Sequence, residues 1–392
     1  MKVLRLLPLL ALLPTRSMAD DGQAFLGIFA ATESMKMAGM PAIPKIQLPP
    51  GVQLPPQAAA ALEKFTKAHR SLVVRLWSPG IAPDGATATL GIPDGLKLGN
   101  TLVLDLYRPK PSKGAADADT GSGEAGIENP DMVIKQYWGS SPTVKPGQPE
   151  TIEMKGLADE QKAYMRRGMA AARGRMSYFY KPNWTTGYWP TERQPGRIAD
   201  DAVLTGHYAL TTSYTGNVDI DVPANVSFLP AIELSSPNLE HKINFDEPIV
   251  IHWQPIPNIL GLHAQIIGMQ GRKTIILWDS AETKPPLGFG FQDDFMQMAE
   301  VKELVSRSLF MAPDRVEAIV PAGIFKDCDF VMLRMVGYGP GAALEKGQPL
   351  PRVQTKTVLT VMLGGKQMPG GAPGEGRGGI GIGPGNILQQ GD

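Results

Sequence analysis

The stretch from Ile243 to Ser280, INFDEPIVIHWQPIPNILGLHAQIIGMQGRKTIILWDS, constrains the fold of this chain more than any other. An apolar strand carrying Trp253 leads into a proline-rich turn ending in Asn258 and Gly261, and a second strand follows. Short apolar runs broken by proline and glycine are the mark of strands joined by turns. The whole chain shares this bias: 44 glycines and 36 prolines among 392 residues favour short strands and many turns over long helices. The predicted fold class is mainly β, with two β-rich domains and a few short helices.

Charge and cysteine use limit the function classes. Lysine plus arginine balances aspartate plus glutamate at 38 each, so no global field recruits nucleic acid, and none is expected as a partner. Lys2 and Arg5 precede an apolar run from Leu6 to Leu13, and Ser17-Met18-Ala19 places small residues where signal peptidase cuts. Residues 1–19 therefore read as a signal peptide, and the protein as exported, either periplasmic or at the cell surface. No segment reaches the roughly 18 consecutive apolar residues of a transmembrane helix. Cys328 is the one cysteine, which leaves no intrachain disulfide and no cysteine cluster for zinc. An exported, disulfide-free chain fits a bacterial envelope. The flanking Asp327 and Asp329 are expected to raise the thiol pKa and keep it unreactive.

Taken in order, residues 20–57 are rich in Met and Pro and read as an extended arm. Ala58, Leu62, Phe65 and His69 have the spacing of one helical face, which assigns His69 to packing. From Ser71 the period becomes two. SLVVRLW, GATATLGIP and NTLVLDLY are strands, the last with Leu102, Leu104 and Leu106 opposed to Val103, Asp105 and Tyr107. Residues 109–131 lose apolar character and read as a mobile loop. MVIKQYW is again a strand, and Met165, Met169, Ala172 and Met176 make the apolar stripe of a helix over 157–176. VLTGHYALTTSYTGNVDIDVP has the form of a hairpin. Asn217, Asp219 and Asp221 alternate on one of its faces, but Val222 stands where a calcium loop needs glycine. These elements define a first domain over 58–225, and 226–363 a second. Residues 364–392 form a glycine-rich tail.

SYFYKPNWTTGYWP supplies the candidate contact residues: Tyr178, Tyr180, Asn183, Trp184, Tyr188 and Trp189. Rings this dense, interrupted by proline and glycine, cannot all be buried by one strand. Exposed flat faces beside amide and hydroxyl groups suit a sugar ring or a partner protein.

The order strand, proline turn, strand around Trp253 resembles strands B and C of fibronectin type III and related immunoglobulin-like domains, in which a buried tryptophan faces the opposite sheet. RKTIILWDS then corresponds to the following strand, DRVEAIVPAGIF to strand E, DFVMLRMVGY to strand F and RVQTKTVLTVML to strand G. The resemblance implies a sandwich over 226–363 in which Trp253 and Leu262 point inward, leaving His252 and His263 outward on opposite sheets as surface residues. Phe330 stands where the family has a tyrosine that ties down the E–F corner. An insertion carries Met298, Val301, Val305 and Leu309 at helical spacing behind Asp293 and Asp294, and is expected to cover a sheet face or edge. No G-x-S-x-G, H-E-x-x-H or P-loop occurs, so no catalytic residue, metal ligand or cofactor is assigned. The expected function is an exported, non-enzymatic binding or scaffold protein with a protein or glycan partner in the envelope. The alternative is an envelope carbohydrate-active hydrolase whose carboxylates converge from the first domain, although pairs such as Asp200 and Asp201 are too generic to assign roles.

Overall fold

The computed structural model describes residues 23–39, 67–108, 132–156, 183–271, 273–286 and 295–366. The signal peptide expected over 1–19, the loop expected over 109–131, the helix expected over 157–176 and residues 367–392 of the expected tail lie outside the described residues.

The first half supplies β1 (Phe25–Met37), β2 (His69–Pro79), β3 (Ala88–Gly91), β4 (Thr101–Val103), β5 (Asp105–Tyr107), β6 (Val133–Trp138), β7 (Glu150–Glu153), β8 (Trp184–Trp189), β9 (Gly206–Thr212) and β10 (Val218–Val222). The second half supplies β11 (Leu234–Ser236), β12 (Ile249–Trp253), β13 (Gly261–Gln270), β14 (Thr274–Asp279), helix α1 (Met298–Ser306), β15 (Glu317–Val320), β16 (Phe330–Tyr338), β17 (Ala342–Ala343) and β18 (Leu350–Gly364). The protein is mainly β, as its turn-rich composition predicts.

Among the described residues, an 11-stranded sheet runs β5-β8-β2-β1-β18-β16-β13-β14-β6-β7, with β17 against β18. Two smaller sheets, β10-β9-β3-β4 and β11-β12-β15, complete the fold. Both pack on one face of the large sheet, and β18 shows how. Its Val353 joins a core with Leu90, Tyr208 and Ile220 of the four-stranded sheet. Its Leu359, Val361 and Leu363 join a second core with Ile251, Trp253 and Val320 of the three-stranded sheet. All four are odd-numbered and so share one face of the strand. Between the cores lie buried threonines: Thr32 Oγ1 donates to Leu229 O at 2.6 Å and Thr355 Oγ1 to Pro340 O at 2.8 Å. These bonds satisfy carbonyls of connecting chain at the seam between the two sandwiches.

The strand order of the large sheet runs across the expected boundary at 225/226. β1 pairs with β18 in parallel and β2 in antiparallel fashion, and β6 extends β14 in parallel. Strands of the two halves thus alternate within one sheet. Periodicity reports which residues face a core and says nothing about which strand lies alongside, so this interleaving had no local signature.

Two segments change type. Residues 25–37 belong to a strand and not to an extended arm, because AFLGIFAA over 24–31 has apolar residues on both faces and no proline. A strand buried on both faces needs that composition. His69 opens β2 as an exposed residue near Glu33 and is not on a helix. The expected helical insertion is α1, covering the other face of the large sheet with Val301 and Leu304 against Val336, Tyr338 and Val358. Gly261 makes room for it, since a Cβ there would come within 2.6 Å of Val305.

Candidate functional site

Strand β8 sorts the aromatic residues by its period of two. Thr185, Gly187 and Trp189 face the first core, and Trp184, Thr186 and Tyr188 face away from it. Trp189 is 1 % exposed, so it is a core residue and not a contact residue. Gly187 lets that core close, because a Cβ would stand 3.2 Å from Leu76 and 3.3 Å from Leu106. Asn183 precedes the strand at φ 64° and is exposed. Tyr178 and Tyr180 lie outside the described residues.

The outward residues of β8 meet an aromatic strip at the margin of the large sheet. Asp105 lies opposite Tyr188 and Tyr107 opposite Thr186 on the edge strand β5. On the other side Arg75 lies opposite Tyr188 and Trp77 opposite Thr186. Tyr107 is 47 % exposed, while Trp184 and Tyr188 are half-buried. Deeper on the same face, Phe29 meets Trp77 edge-on at 6.2 Å and Phe295 at 5.0 Å. The strip is therefore the open border of a packed aromatic cluster.

Arg75 anchors it from beneath. Its Nη1 donates to Val74 O and Trp189 O, each at 2.8 Å, and its guanidinium lies 5.9 Å from the Tyr188 ring centre. Burial pulls its pKa down to about 9, opposed by Tyr188, so it keeps its charge at neutral pH. The Tyr188 hydroxyl is pushed up by burial first and by Asp105 second, with Arg75 opposing and Glu192 adding to the rise. Sequence reasoning missed Tyr107 as part of the strip. NTLVLDLY reads as one strand, whereas it changes sheets at Leu104, with β4 in the four-stranded sheet and β5 in the large one. Leu102, Leu104 and Leu106 nevertheless reach the same core, as their alternation predicts.

The histidines are separated as expected, but one is not on the surface. His252 lies on the outer side of the three-stranded sheet, hydrogen-bonded to Ser235. His263 is buried: its Nε2 donates to Asp279 Oδ2 at 2.8 Å and its ring stacks on Phe310 at 5.2 Å. It does point away from the sandwich interior, yet the segment carrying α1 and Phe310 covers that side. Asp200 and Asp201 are exposed and engaged by Lys67 and Lys97 respectively, whose hydrogen bonds hold both carboxyls below the usual range. Among the described residues, no group of three or more His, Cys, Asp or Glu side chains is arranged to hold a metal ion, and no helix is long and apolar enough to cross a membrane.

What these features define is a mainly β protein with two sandwich cores under one sheet and an aromatic strip at that sheet's margin. Compared with known protein families, curated proteins and solved structures, the chain matches none.

Proposed function

We propose that the protein is an exported, non-enzymatic binding or scaffold protein of the bacterial envelope, with the β5–β8 margin as its contact surface. The observation that carries this reading is the placement of Tyr107, Trp184 and Tyr188 on one outward face, with Tyr107 47 % exposed. Rings held at a rigid sheet edge beside Asn183 and Asp105 offer stacking faces and polar groups to a glycan or a protein partner. Export rests on the signal-peptide pattern of residues 1–19.

We also read the second half as a fibronectin type III-like sandwich. β11, β12 and β15 take the places of strands A, B and E, and the neighbouring order β14-β13-β16-β18 supports C and its successor beside F and G. Such modules commonly present binding surfaces on a rigid frame. The departure is that β18 is no edge, since β1 continues the sheet beyond it.

The test combines Tyr107→Ala with Trp184→Ala and measures capture of envelope glycans and crosslinked envelope proteins. Capture is expected to fall with little change in denaturation midpoint. Trp189→Ala serves as contrast and should destabilise the fold by about 3–5 kcal/mol, as loss of a buried aromatic does. Undiminished capture by the double variant refutes the contact surface.

One observation favours a second reading, a carbohydrate-active hydrolase: Asp105 and Glu192 both act on the Tyr188 hydroxyl, so two carboxylates flank the strip. Turnover of chromogenic glycosides, lost in Asp105→Asn and in Glu192→Gln, would select it.

A further inference from the structure

The overhang of β6 beyond the three-stranded sheet creates a cleft that the aromatic strip does not share. β6 adds to the edge of β14 and brings Lys135 beside Ile276 and Tyr137 beside Trp278 on the inner face. The three-stranded sheet does not reach that far. The chain after β6 crosses over instead, where Ser141 N donates to Ile319 O and Ala322 N donates to Pro142 O. Together with the turn over 322–327 this crossover leaves a cleft of about 370 Å³, lined by Lys135, Tyr137, Gln270, Gly323 and Asp327 among others. Gly268 lets the turn pack against β13, because a Cβ there would lie 2.6 Å from Phe325 and from Cys328 Sγ. The volume lies within the range of small-molecule sites.

Three polar side chains line this space: among the described residues, the Lys135 ammonium, the Tyr137 hydroxyl and the Gln270 amide have no hydrogen bond or ion pair with another residue. Tyr137 is 8 % exposed and belongs to the second core, and it also lines the cleft. All three can donate, and one carries a positive charge. Asp327, on the same lining, is paired with Lys366 at 3.1 Å, so Lys135 is the unbalanced charge of this lining.

We infer that this cleft is a binding site for a small monocarboxylate, held by Lys135 through its charge and by Tyr137 and Gln270 through hydrogen bonds. One ammonium matches one carboxylate, and a single unbalanced positive charge leaves the second charge of a dianion such as phosphate or succinate uncompensated. The site is independent of the aromatic margin, so the fate of either assignment leaves the other standing.

The experiment titrates the full-length protein with acetate, galacturonate, succinate and inorganic phosphate at constant ionic strength, following backbone and side-chain amide resonances. Saturable shifts at the Gln270 side-chain amide and the Gly323 backbone are expected with acetate and galacturonate, and weaker ones with succinate and phosphate. Lys135→Met keeps the length of the side chain and is expected to weaken carboxylate binding by about ten- to a hundredfold, the usual range for a lost charge-assisted hydrogen bond. Gln270→Ala, which leaves the Tyr137 packing intact, should weaken it by a smaller factor. Absence of saturable shifts with both monocarboxylates, equal affinity in Lys135→Met, or tighter binding of phosphate than of either monocarboxylate would each overturn the assignment.

Discussion

Cys328 shows how a single residue's chemistry is set from two directions. Burial is the larger cause of its raised pKa, followed by Asp329 and then Asp327, with Lys366 opposing, and the thiol is pushed up to about 11. The aspartates are its chain neighbours and legible as such. The burial comes from the second core, where Gly268 leaves room for the sulfur, and no local pattern announces it. A shift from 9.0 to about 11 leaves about a hundredth of the ordinary thiolate fraction at pH 8. Iodoacetamide at that pH should therefore label the native protein at least about a hundredfold more slowly than the urea-unfolded chain. The sign of the linkage follows from the raised value. The protonated thiol's contribution is fully present below the unfolded pKa and is lost as pH rises towards 11. Rapid labelling of the folded protein would contradict this account. The aromatic residues teach the same lesson in reverse: the density of SYFYKPNWTTGYWP signalled that some rings face outward, but only the register of β8 decides that Trp184 and Tyr188 do and Trp189 does not.

At the scale of elements, one carboxylate ties three connections together. Glu282, just past β14, is held by Lys145 at 3.0 Å from the crossover after β6 and by Arg315 at 3.0 Å from the approach to β15. Burial alone would raise its pKa, but the hydrogen bonds and charges of Lys145 and Arg315 together outweigh that and hold it below the usual carboxylate range. A depressed pKa contributes stability above the unfolded value and loses it as pH falls through the folded one. Because Glu282 is more than a third exposed, solvent screening limits the effect to under about 1 kcal/mol. Glu282→Gln should thus be less stable than the parent at pH 7 by that order, with the gap closing on acidification. Urea titrations at both pH values measure it, and a gap independent of pH would refute the ion-pair explanation. Elements themselves were legible where buried and solvent-facing positions alternate, as in β3 and the β9–β10 hairpin. β1 was missed because a strand apolar on both faces shows no alternation, and its neighbourhood is dominated by prolines that begin only at Pro41.

At the scale of the molecule, the parallel pairings β1–β18 and β6–β14 make the two sandwiches one sheet. β18, 15 residues long, carries residues of both cores on a single face. A chain divided at 225/226 would leave β18 without β1 and β14 without β6, exposing two long unpaired edges, one on each side of the same sheet. The fragment 226–366 should therefore aggregate or populate a loosely packed state, although it contains all of β11 to β18. The intact chain, for the same reason, should lose the tryptophan environment of Trp253 in the second core and of Trp189 in the first at one urea concentration, in a single transition that coincides with loss of β-sheet ellipticity. A soluble 226–366 fragment with dispersed amide resonances, together with two separate transitions in the whole protein, would restore two independent domains. The physical argument runs against that outcome, since neither core can open without breaking the backbone ladder on β18 that holds the other.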